Sequence, residues 1–433
     1  MATTVASVVA QLTPPGDSKV SRSLRARRGL LVRLEQHARA TRDPSRPLIW
    51  FHAPSVGEGL QARPVVQALR AMHPEWQIAY TFFSPSAAQF ATSIGADISD
   101  YLPFDRAGNA EALLNALKPS ALVFAKLDVW PVLVERASAR GIPVAMISGT
   151  LAARSGRRGW WSRQLLRDAY ATLSAVGAID VEHADRLVEL GVRRSALSAT
   201  GDTRFDQVSE RAAQVDRARP LLRALTSSRL TVVAGSTWPA DEAVLLNAWA
   251  SVGAVTAPDD TIGRPRLIIA PHEPTLAHCV PIEAWARRAR LTLGRLSEIE
   301  RSTSGVVDDA DVILVDRVGA LGELYALADA AFVGGGFHAS GLHSVIEPAA
   351  FGVPVLFGPR HDMSREAGLL IAAGGAHSVE DAGDLAGRLR GWIADGAHRK
   401  AEGALARAVV QHERGATVRS VRLIEQLLVK RGL

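Results

Sequence analysis

The chain has 433 residues, of which 47% are hydrophobic and 22% charged, with a formal net charge of +6 and one cysteine, Cys279. This composition is typical of a globular protein and excludes a long disordered or collagen-like portion. A single thiol excludes an internal disulfide and a CxxC metal site, and it favours a reducing compartment. The length predicts two domains of about 200 residues each.

The first 45 residues are predicted to form a basic segment that contacts an anionic partner. Residues 22–42 carry one glutamate, Glu35, and seven arginines: Arg22, Arg25, Arg27, Arg28, Arg33, Arg39 and Arg42. A helix predicted at 21–40 places Leu24, Leu31, Leu34 and Ala38 near one face, which is typical of a helix lying on an anionic membrane surface. A helix packed on its own domain would show the same pattern. No aromatic residues are interleaved with the arginines, so we expect no nucleic-acid partner.

Neither a membrane-spanning helix nor a secretory signal is predicted. No run of about 20 apolar residues free of charge or glycine is present. The first residues, MATTVASVVAQLTPPGD, lack the basic start of a secretory signal. We therefore expect a cytoplasmic protein whose contact with a membrane is peripheral.

From residue 46 onward, short apolar runs alternate with longer amphipathic ones, the pattern of βαβ units around a parallel sheet. Strands are predicted at 48–52, 77–83, 121–125, 144–148 and 173–177, with helices such as 59–72 and 131–140 between them. An arginine-rich helical stretch at 209–227 follows. We place a domain boundary there, so that residues 46–215 form a first doubly wound domain.

The alternation then begins again and predicts a second doubly wound domain in residues 216–433. Its strands are predicted at 230–235, 267–270, 312–315, 331–333 and 353–357. Its helices are predicted at 240–250, 276–288, 322–328 and 344–351, with a long helical tail at 397–429. A tail of this kind could return to brace the first domain. The expected fold class is α/β, with two Rossmann-like parallel sheets.

The loop after the first predicted strand carries the first candidate site, because ligands of doubly wound sheets bind beyond the carboxyl ends of the strands. Residues 52–59, HAPSVGEG, open a helix there. Glu58 lies just inside that helix and is a candidate general base. Ser55 and Glu58 also match a capping box, in which both have a structural role. Both interpretations stay open at this point.

A glycine triplet, Gly334, Gly335 and Gly336, follows the strand predicted at 331–333. Glycines permit close backbone approach, which suits a phosphate, but a tight turn uses them as well. His343 lies in the following loop, and Glu347 lies in the first turn of the next helix. The combination suits a nucleotide, with backbone amides near the phosphate and the carboxylate on the ribose hydroxyls.

Three shorter loops follow other strands: Ser236 with Thr237, Pro271 with His272, and the GDTRFD segment that contains Arg204. Each loop by itself is more typical of an ordinary capped turn than of a ligand site. The sequence has no P-loop motif and no metal-ligand spacing among its histidines. We therefore predict no metal and no cofactor.

Four segments together resemble one known family. They are WFHAPSVGEG at 50–59, VWPVLVERASARGIPV at 129–144, GDTRFD at 201–206 and ADAAFVGGGFHASGLHSVIEPAAFGVPVLFGP at 328–359. The chain resembles the transferases of 3-deoxy-D-manno-octulosonic acid (Kdo), which are inverting glycosyltransferases of the two-domain GT-B architecture. The resemblance implies two Rossmann-like domains that face each other across a cleft, the first binding the acceptor and the second binding CMP-Kdo.

The resemblance also implies roles for individual residues. Glu58 is the implied catalytic base, and Glu347 is the implied ribose ligand. The other implied donor-binding residues are Arg204, Ser236, Thr237, Pro271, His272, Gly334, Gly335, Gly336 and His343. On the acceptor side they are Ser55, Gly57, Lys126 and Asp128. Lys126 stands where many members of the family have a carboxylate.

The implied reaction transfers Kdo from CMP-Kdo to a lipid A precursor, lipid IVA, in lipopolysaccharide biosynthesis. A donor with one phosphate has less need of a bridging metal than a diphosphate donor. The implied location is the cytoplasmic face of the bacterial inner membrane, with peripheral attachment to its anionic surface. The nearest alternative is another enzyme of this architecture that acts on a UDP-sugar, either a transferase or an epimerase. A binding protein without turnover is a second alternative.

Overall fold

The computed structural model describes residues 19–153, 155–253, 264–301, 310–429 and 432. The chain divides into two compact units, Met1–Gln207 with Glu413–Leu433, and Val208–His412. The part of the predicted basic segment that precedes residue 19 lies outside the described residues. Within the ranges just given, no helix is both long enough and apolar enough to cross a membrane.

The first unit is built on a sheet of seven parallel strands. The strands are β1 Leu48–His52, β2 Gln77–Phe82, β3 Ile98–Tyr101, β4 Ala121–Ala125, β5 Val144–Gly149, β6 Ala175–Ala178 and β7 Leu197–Ala199. They lie in the order β3-β2-β1-β4-β5-β6-β7. Every residue of β1, β2, β4 and β5 is buried, because helices cover both faces of such a sheet. Because both faces are buried, the central strands are continuous apolar runs, and such runs can be recognised in the sequence.

Helices cover the two faces of this sheet. They are Lys19–Ala26, Leu30–Thr41, Val56–Met72, Ala87–Ala91, Ala107–Leu117, Pro131–Ala139, Trp160–Thr172, Val181–Glu189 and Ala416–Val429, with short 3-10 helices at Gly156–Arg158 and Arg194–Ala196. The helix Thr203–Gln214 contains the point at which the chain passes from the first unit to the second. The predicted boundary at 215 and 216 therefore differs from the observed one by eight residues.

The C-terminal helix belongs to the first unit, whereas the sequence analysis had grouped it with the second. Val421, Ile424 and Leu428 are buried in one cluster with Ile49 and Phe51 of β1. This apolar stripe fits the face of the first sheet. The predicted tail at 397–429 is also two helices, Gly396–His412 and Ala416–Val429, because the chain turns between them.

Part of the apolar face of the predicted N-terminal helix is occupied by the protein itself. Leu30, Leu34 and Ala38 are buried in the core of the first unit, together with apolar residues of the helix Ala107–Leu117. The single helix predicted at 21–40 is two helices, because Gly29 has a left-handed backbone (φ 60°). Of the predicted face, Leu34 and Ala38 are therefore packed on the protein itself, whereas Leu24 and Leu31 are partly exposed. Membrane contact of this segment stays a prediction.

Arg27, counted above among the arginines of the basic segment, is buried. Its Nε donates to Leu102 O (3.0 Å) and its Nη2 donates to Phe83 O (2.8 Å). Its Nη1 donates to the carbonyl and hydroxyl oxygens of Ser23 at 2.8 and 2.7 Å. The guanidinium lies 3.7 Å from the centre of the Phe83 ring, within range of a cation–π interaction. Burial lowers the pKa of Arg27 to about 10. Its hydrogen bonds connect the first helix to the loops that contain Phe83 and Leu102.

We expect Arg27→Ala to lower the free energy of unfolding by about 3 kcal/mol, because three backbone carbonyls lose their charged donor. Arg39→Ala, which removes an exposed arginine of the next helix, should change it by less than about 0.5 kcal/mol. Chemical denaturation followed by tryptophan fluorescence measures both variants. Equal stabilities would contradict the structural role of Arg27.

The second unit is built on another sheet of seven parallel strands. The strands are β8 Thr231–Thr237, β9 Arg266–Pro271, β10 Leu293–Arg295, β11 Val312–Leu314, β12 Ala330–Val333, β13 Val355–Phe357 and β14 Ala376–Ser378, in the order β10-β11-β9-β8-β12-β13-β14. The helices are Pro220–Ala224, Pro239–Gly253, Leu276–Arg288, Leu296–Arg301, Leu321–Leu324, Ile346–Ala350, Arg365–Ala372, Ala382–Ala394 and Gly396–His412, with a 3-10 helix at Tyr325–Leu327. The predicted fold class, two doubly wound parallel sheets, is confirmed.

Near the middle of each sheet, the chain leaves two adjacent strands in opposite directions. In the first sheet this switch point lies between β1 and β4, and in the second it lies between β8 and β12. The loops that leave adjacent strands at a switch point diverge, so a crevice forms there and ligands bind in it. The loops after these four strands are therefore the first places to examine for function.

Candidate active site

Glu58 lies at the switch point of the first sheet. The loop after β1 leads into the helix Val56–Met72, and Glu58 stands in its first turn with 19% of its side chain exposed. Lys126 follows β4, on the other side of the switch point, and its Nζ lies 3.5 Å from Glu58 Oε1. The backbone of Lys126 is left-handed (φ 65°), a conformation that is often found at functional sites. The Lys126 cation is thus paired with the candidate base.

Ser55 holds the Glu58 carboxylate instead of capping the helix. Its hydroxyl donates to Glu58 Oε2 and makes no capping bond to the amides of the helix. The capping-box interpretation is therefore not what the structure shows. A Cβ atom at Gly57 would meet only Ser55 Oγ, at 3.8 Å, so neither packing nor backbone conformation requires glycine there. The space beside the carboxylate is open to a ligand, and a carboxylate held in this way can accept a proton from a hydroxyl.

Asp128 anchors a polar network beside this pair. Trp130 Nε1 donates to its Oδ2 (3.1 Å), and Arg157 Nη2 donates to its Oδ1 (3.2 Å). His52 Nε2 lies 3.9 Å from Oδ2 and is buried without a hydrogen-bond partner among the described residues. Burial raises the pKa of Asp128, but the contacts with His52, Trp130 and Arg157 outweigh it and keep that pKa below its usual value. His52 and Arg157 were not among the predicted site residues, although His52 opens the same motif as Glu58.

The carboxyl end of β8 contributes Ser236 and Thr237 to the second switch point. The register of β8 against β9 shifts between Gly235 and Thr237, and Ser236 has a left-handed backbone (φ 54°). Such bulges aim side chains at functional sites. Thr237 Oγ1 donates to the buried Glu242 (2.9 Å), so its hydroxyl is engaged. The Ser236 hydroxyl makes no hydrogen bond to any residue that the structure describes, which leaves it available to a ligand.

The glycine triplet packs closely against neighbouring backbone. A Cβ atom at any of Gly334, Gly335 and Gly336 would collide with another backbone segment. The amide of Gly334 donates to Gly235 O (2.9 Å), and the amide of Gly335 donates to Asp241 Oδ2 (2.7 Å). These two amides are therefore not free to bind a phosphate, contrary to the expectation from the sequence. The triplet brings the loop after β12 close to the loop after β8.

Asp241, which the sequence analysis did not select, joins these two loops. It is fully buried in the first turn of the helix Pro239–Gly253. Besides the amide of Gly335, its carboxylate accepts the amides of Trp238 (2.9 Å) and Phe337 (3.0 Å). The only signal in the sequence was an acidic residue in the first turn of a helix that follows a strand. Its partners lie 94 and 96 residues away, so the sequence could not identify them.

Four aromatic rings stack at the same edge of the second sheet. The ring centre of Trp238 lies 4.4 Å from that of His338 and 4.6 Å from that of His272, and His272 lies 4.4 Å from His343. Trp238 Nε1 donates to His343 Nε2 (3.0 Å). Burial, and then the neighbouring His272, lower the pKa of His343 to about 4, so this nitrogen remains an acceptor at neutral pH. The stack is a flat surface suited to a base or a sugar ring. Trp238 and His338 were not predicted.

Glu347 retains acceptor capacity for a ligand. It makes no hydrogen bond to any described residue. Burial raises its pKa, and the charge of Arg211 acts in the opposite direction. Burial raises the pKa of Tyr325 well above its usual value, and the charge of the Glu347 carboxylate acts in the same direction. The Arg211 guanidinium lies over Gly322, where a Cβ atom would come within 2.7 Å of its Nη2. Arg211, whose charge acts on Glu347, was not among the predicted site residues.

Arg204 does not belong to the group of residues in the second unit. It lies in the first unit, where its Nε and Nη2 donate to Asp202 Oδ2 at 2.9 and 2.6 Å. Burial raises the pKa of Asp202, but the Arg204 guanidinium outweighs it and holds that pKa below its usual value. The nearby Asp206 accepts the amides of Gly415 and Thr417, both at 2.6 Å, at the start of the C-terminal helix. These contacts fix the GDTRFD segment within the first unit, and the donor-binding role of Arg204 stays a prediction.

The predicted residues thus form two groups, each within one unit. Ser55, Gly57, Glu58, Lys126 and Asp128 lie after β1 and β4. The second group lies at or after the carboxyl ends of β8, β9 and β12 and comprises Ser236, Thr237, Pro271, His272, Gly334, Gly335, Gly336, His343 and Glu347. Among the described residues no cluster of three or more His, Cys, Asp or Glu side chains is arranged to hold a metal ion.

Comparison with known proteins identifies the relatives of the chain. The family model for 3-deoxy-D-manno-octulosonic-acid transferase (kdotransferase) matches residues 22–207. A 3-deoxy-D-manno-octulosonic acid transferase of Bordetella pertussis is 32% identical over 390 residues, which cover 88% of this chain and 87% of that protein. The chain belongs to the Kdo transferase family. A Kdo transferase of Haemophilus influenzae is 28% identical over 319 residues, which cover 72% of this chain and 70% of that protein.

Solved structures share the fold of this Kdo transferase. The UDP-GlcNAc 2-epimerase from Neisseria meningitidis, bound to UDP-GlcNAc, has a TM-score of 0.58 at 15% identity, covering 89% of this chain and 100% of that one. Another UDP-N-acetylglucosamine 2-epimerase has a TM-score of 0.60 at 14% identity, covering 89% and 96%. At these identities the likeness shows the GT-B fold alone. The predicted family, architecture and glycosyltransferase activity are confirmed.

Proposed function

We propose that this Kdo transferase moves Kdo from CMP-Kdo to a hydroxyl of a lipid A precursor, lipid IVA, with inversion at the anomeric carbon. Glu58 carries the proposal. Its carboxylate stands at the switch point of the first sheet, fixed by Ser55 and Lys126, with open space at Gly57 beside it. We place the reaction at the cytoplasmic face of the inner membrane, with peripheral attachment to the anionic surface.

The proposed chemistry is a single displacement. The acceptor oxygen forms a bond to the anomeric carbon of Kdo while the bond from that carbon to the CMP phosphate oxygen breaks. The acceptor proton passes to the Glu58 carboxylate, and CMP leaves with the bonding electron pair. Inversion requires the acceptor and the leaving phosphate to occupy opposite faces of the anomeric carbon. The first unit therefore supplies the base and the second unit binds the donor.

In the proposed donor site, each part of the nucleotide has a matching group. The Ser236 hydroxyl and the exposed His272 ring are donors for the phosphate oxygens, which carry the developing charge. The Glu347 carboxylate accepts hydrogen bonds from the ribose hydroxyls. The stack of Trp238, His272, His338 and His343 provides a surface for a ring. Asp241 holds the two loops together and does not touch the donor.

Incubation of the purified enzyme with CMP-Kdo and tetraacylated lipid A precursor tests the proposal. Mass analysis should show a lipid product heavier by Kdo residues, with CMP released in equal amount. A parallel reaction with UDP-GlcNAc addresses the alternative of a UDP-sugar enzyme. Consumption of UDP-GlcNAc, with no transfer from CMP-Kdo, would overturn the proposal.

We expect Glu347→Ala to weaken CMP binding by about 1–3 kcal/mol, because charge-assisted hydrogen bonds to the ribose are lost. Glu380→Ala, an exposed glutamate of the same unit, is the control and should bind CMP like the wild type. Isothermal titration calorimetry measures both affinities. An unchanged affinity of Glu347→Ala would rule out the ribose assignment.

A further inference from the structure

The helix Trp160–Thr172 of the first unit exposes three large apolar side chains. Trp160, Trp161 and Leu165 are 66%, 74% and 77% exposed, and we call them the Trp–Leu patch. The two indole rings contact each other edge to face, with ring centres 4.4 Å apart. Trp161 and Leu165 are four residues apart and share one helix face. A contiguous exposed surface of this kind is typical of an interaction site in a soluble domain.

Basic residues surround the Trp–Leu patch. The sequence 154–167 contains five arginines and no carboxylate. Arg158 pairs with the side chain of Glu189 at 3.0 Å, and Arg163 bonds the carbonyl of the same residue at 3.0 Å. Arg167 is exposed on the next turn of the helix. Asp128 pairs with Arg157, Glu189 pairs with Arg158, and the exposed Asp168 follows Arg167. The described residues beside the patch therefore keep a small excess of positive charge, which is complementary to an anionic surface.

The patch also lies at the edge of the sheet where Glu58 stands. The helix Trp160–Thr172 begins after β5, so its first residues lie at the carboxyl edge of the sheet. Tyr170 Oη donates to Leu127 O at 2.9 Å, and Leu127 lies between Lys126 and Asp128. Arg157, just before the helix, donates to Asp128. The patch is thus attached to the loop that carries the partner of the candidate base.

We propose that the Trp–Leu patch docks the first unit on an anionic phospholipid bilayer. Tryptophan and arginine together suit the membrane–water interface, because indole has an apolar body with one donor and arginine pairs with phosphate. An acylated acceptor would then reach Glu58 while its chains stay in the bilayer. This inference rests on the proposed acceptor. It differs from the sequence-based membrane alternative, which used the helix predicted at 21–40, where Leu30, Leu34 and Ala38 are buried in the core of the first unit.

Co-sedimentation with vesicles of phosphatidylglycerol and phosphatidylethanolamine in equal parts tests the docking surface. The variant Trp160→Ser, Trp161→Ser, Leu165→Ser should bind about tenfold more weakly than the wild type. The control is Met72→Ser, a 55% exposed apolar residue at the end of the helix Val56–Met72, on the opposite edge of the sheet. It should bind like the wild type. Equal vesicle binding by the triple variant and the wild type would overturn the proposal.

Brominated lipids give a second measurement that needs no variant. Vesicles that contain them should quench the tryptophan fluorescence of the wild type, because Trp160 and Trp161 enter the interface. Quenching of equal size in the triple variant would contradict the proposal. The triple variant could instead lose a concentration-dependent dimer while its vesicle binding stays unchanged. That result would show that the patch binds a second copy of the chain, and it would overturn the proposal that the patch docks on a bilayer.

Vesicle binding does not depend on turnover, so the two proposals fail separately. A wild type that binds vesicles through the patch but transfers no Kdo from CMP-Kdo overturns the proposed function. A wild type that transfers Kdo, with a triple variant that binds vesicles equally well, overturns the docking surface alone. A variant with Arg25→Glu and Arg28→Glu compares the N-terminal helices directly. Stronger loss of binding in that variant than in the triple variant also overturns the docking surface.

Discussion

We expect Glu58→Gln to lower turnover by about 100-fold or more while leaving CMP-Kdo affinity unchanged. Glutamine keeps the size of the side chain and its contact with the Ser55 hydroxyl. It cannot take the proton of the acceptor. Donor binding should stay intact because the donor candidates lie in the second unit. Single-turnover kinetics with CMP-Kdo and lipid acceptor measure the chemical step, and calorimetry measures donor affinity.

The control for this variant is Glu135→Gln, whose side chain is 70% exposed on the helix Pro131–Ala139 of the same unit. Its turnover should match that of the wild type. If Glu58→Gln keeps its turnover and instead loses about 1 kcal/mol of stability, the residue has a structural role. The Ser55 hydroxyl already bonds the carboxylate and not a helix amide, which favours the catalytic outcome.

We expect Asp241→Ala to lower the free energy of unfolding by about 3–5 kcal/mol, because three backbone amides lose their acceptor at a fully buried position. The same change should weaken CMP binding, since the loops after β8 and β12 lose the side chain that joins them. Thermal unfolding measures the first effect, and calorimetry at a temperature where the variant is folded measures the second.

Glu242→Ala is the matched comparison, because Glu242 is the next residue of the same helix and is also buried. It accepts only the Thr237 hydroxyl, so its removal should cost about 1–2 kcal/mol. If Asp241→Ala does not fold, Asp241→Asn keeps one acceptor oxygen and should be intermediate. A cost for Asp241→Ala no larger than that for Glu242→Ala would show that the three amide contacts do not stabilise the loops.

The sequence predicted the central strands well and the edge strands poorly. The strands β1 and β4 begin and end at the predicted residues, because both faces are buried and the strands are continuous apolar runs. The strands β3, β7, β10 and β14 were not predicted. They have three or four residues each and are partly exposed. Such short strands form because a neighbouring strand offers hydrogen bonds, and their own sequence carries little signal.

Candidate site residues were found where the loop that leaves a strand carries the function. Glu58, Lys126 and Ser236 each lie at or after the carboxyl end of a strand at a switch point, and the rule for doubly wound sheets is enough to select them. Arg204 met the same rule, yet its guanidinium is engaged by the buried Asp202. A local pattern identifies a position after a strand, but it does not show whether the side chain at that position already pairs with another residue.

By itself, the sequence determined the two parallel sheets, the family and the candidate base, because these depend on local periodicity and on short motifs. Only the tertiary structure decided which contacts each residue makes. In the structure Arg27 is buried, Ala416–Val429 belongs to the first unit, and the amides of Gly334 and Gly335 are engaged. The tertiary structure also joined Asp241 to a loop 94 residues away. These outcomes depend on which distant segments meet and on whether burial leaves a polar group paired, and neither property is written in the local pattern of residues.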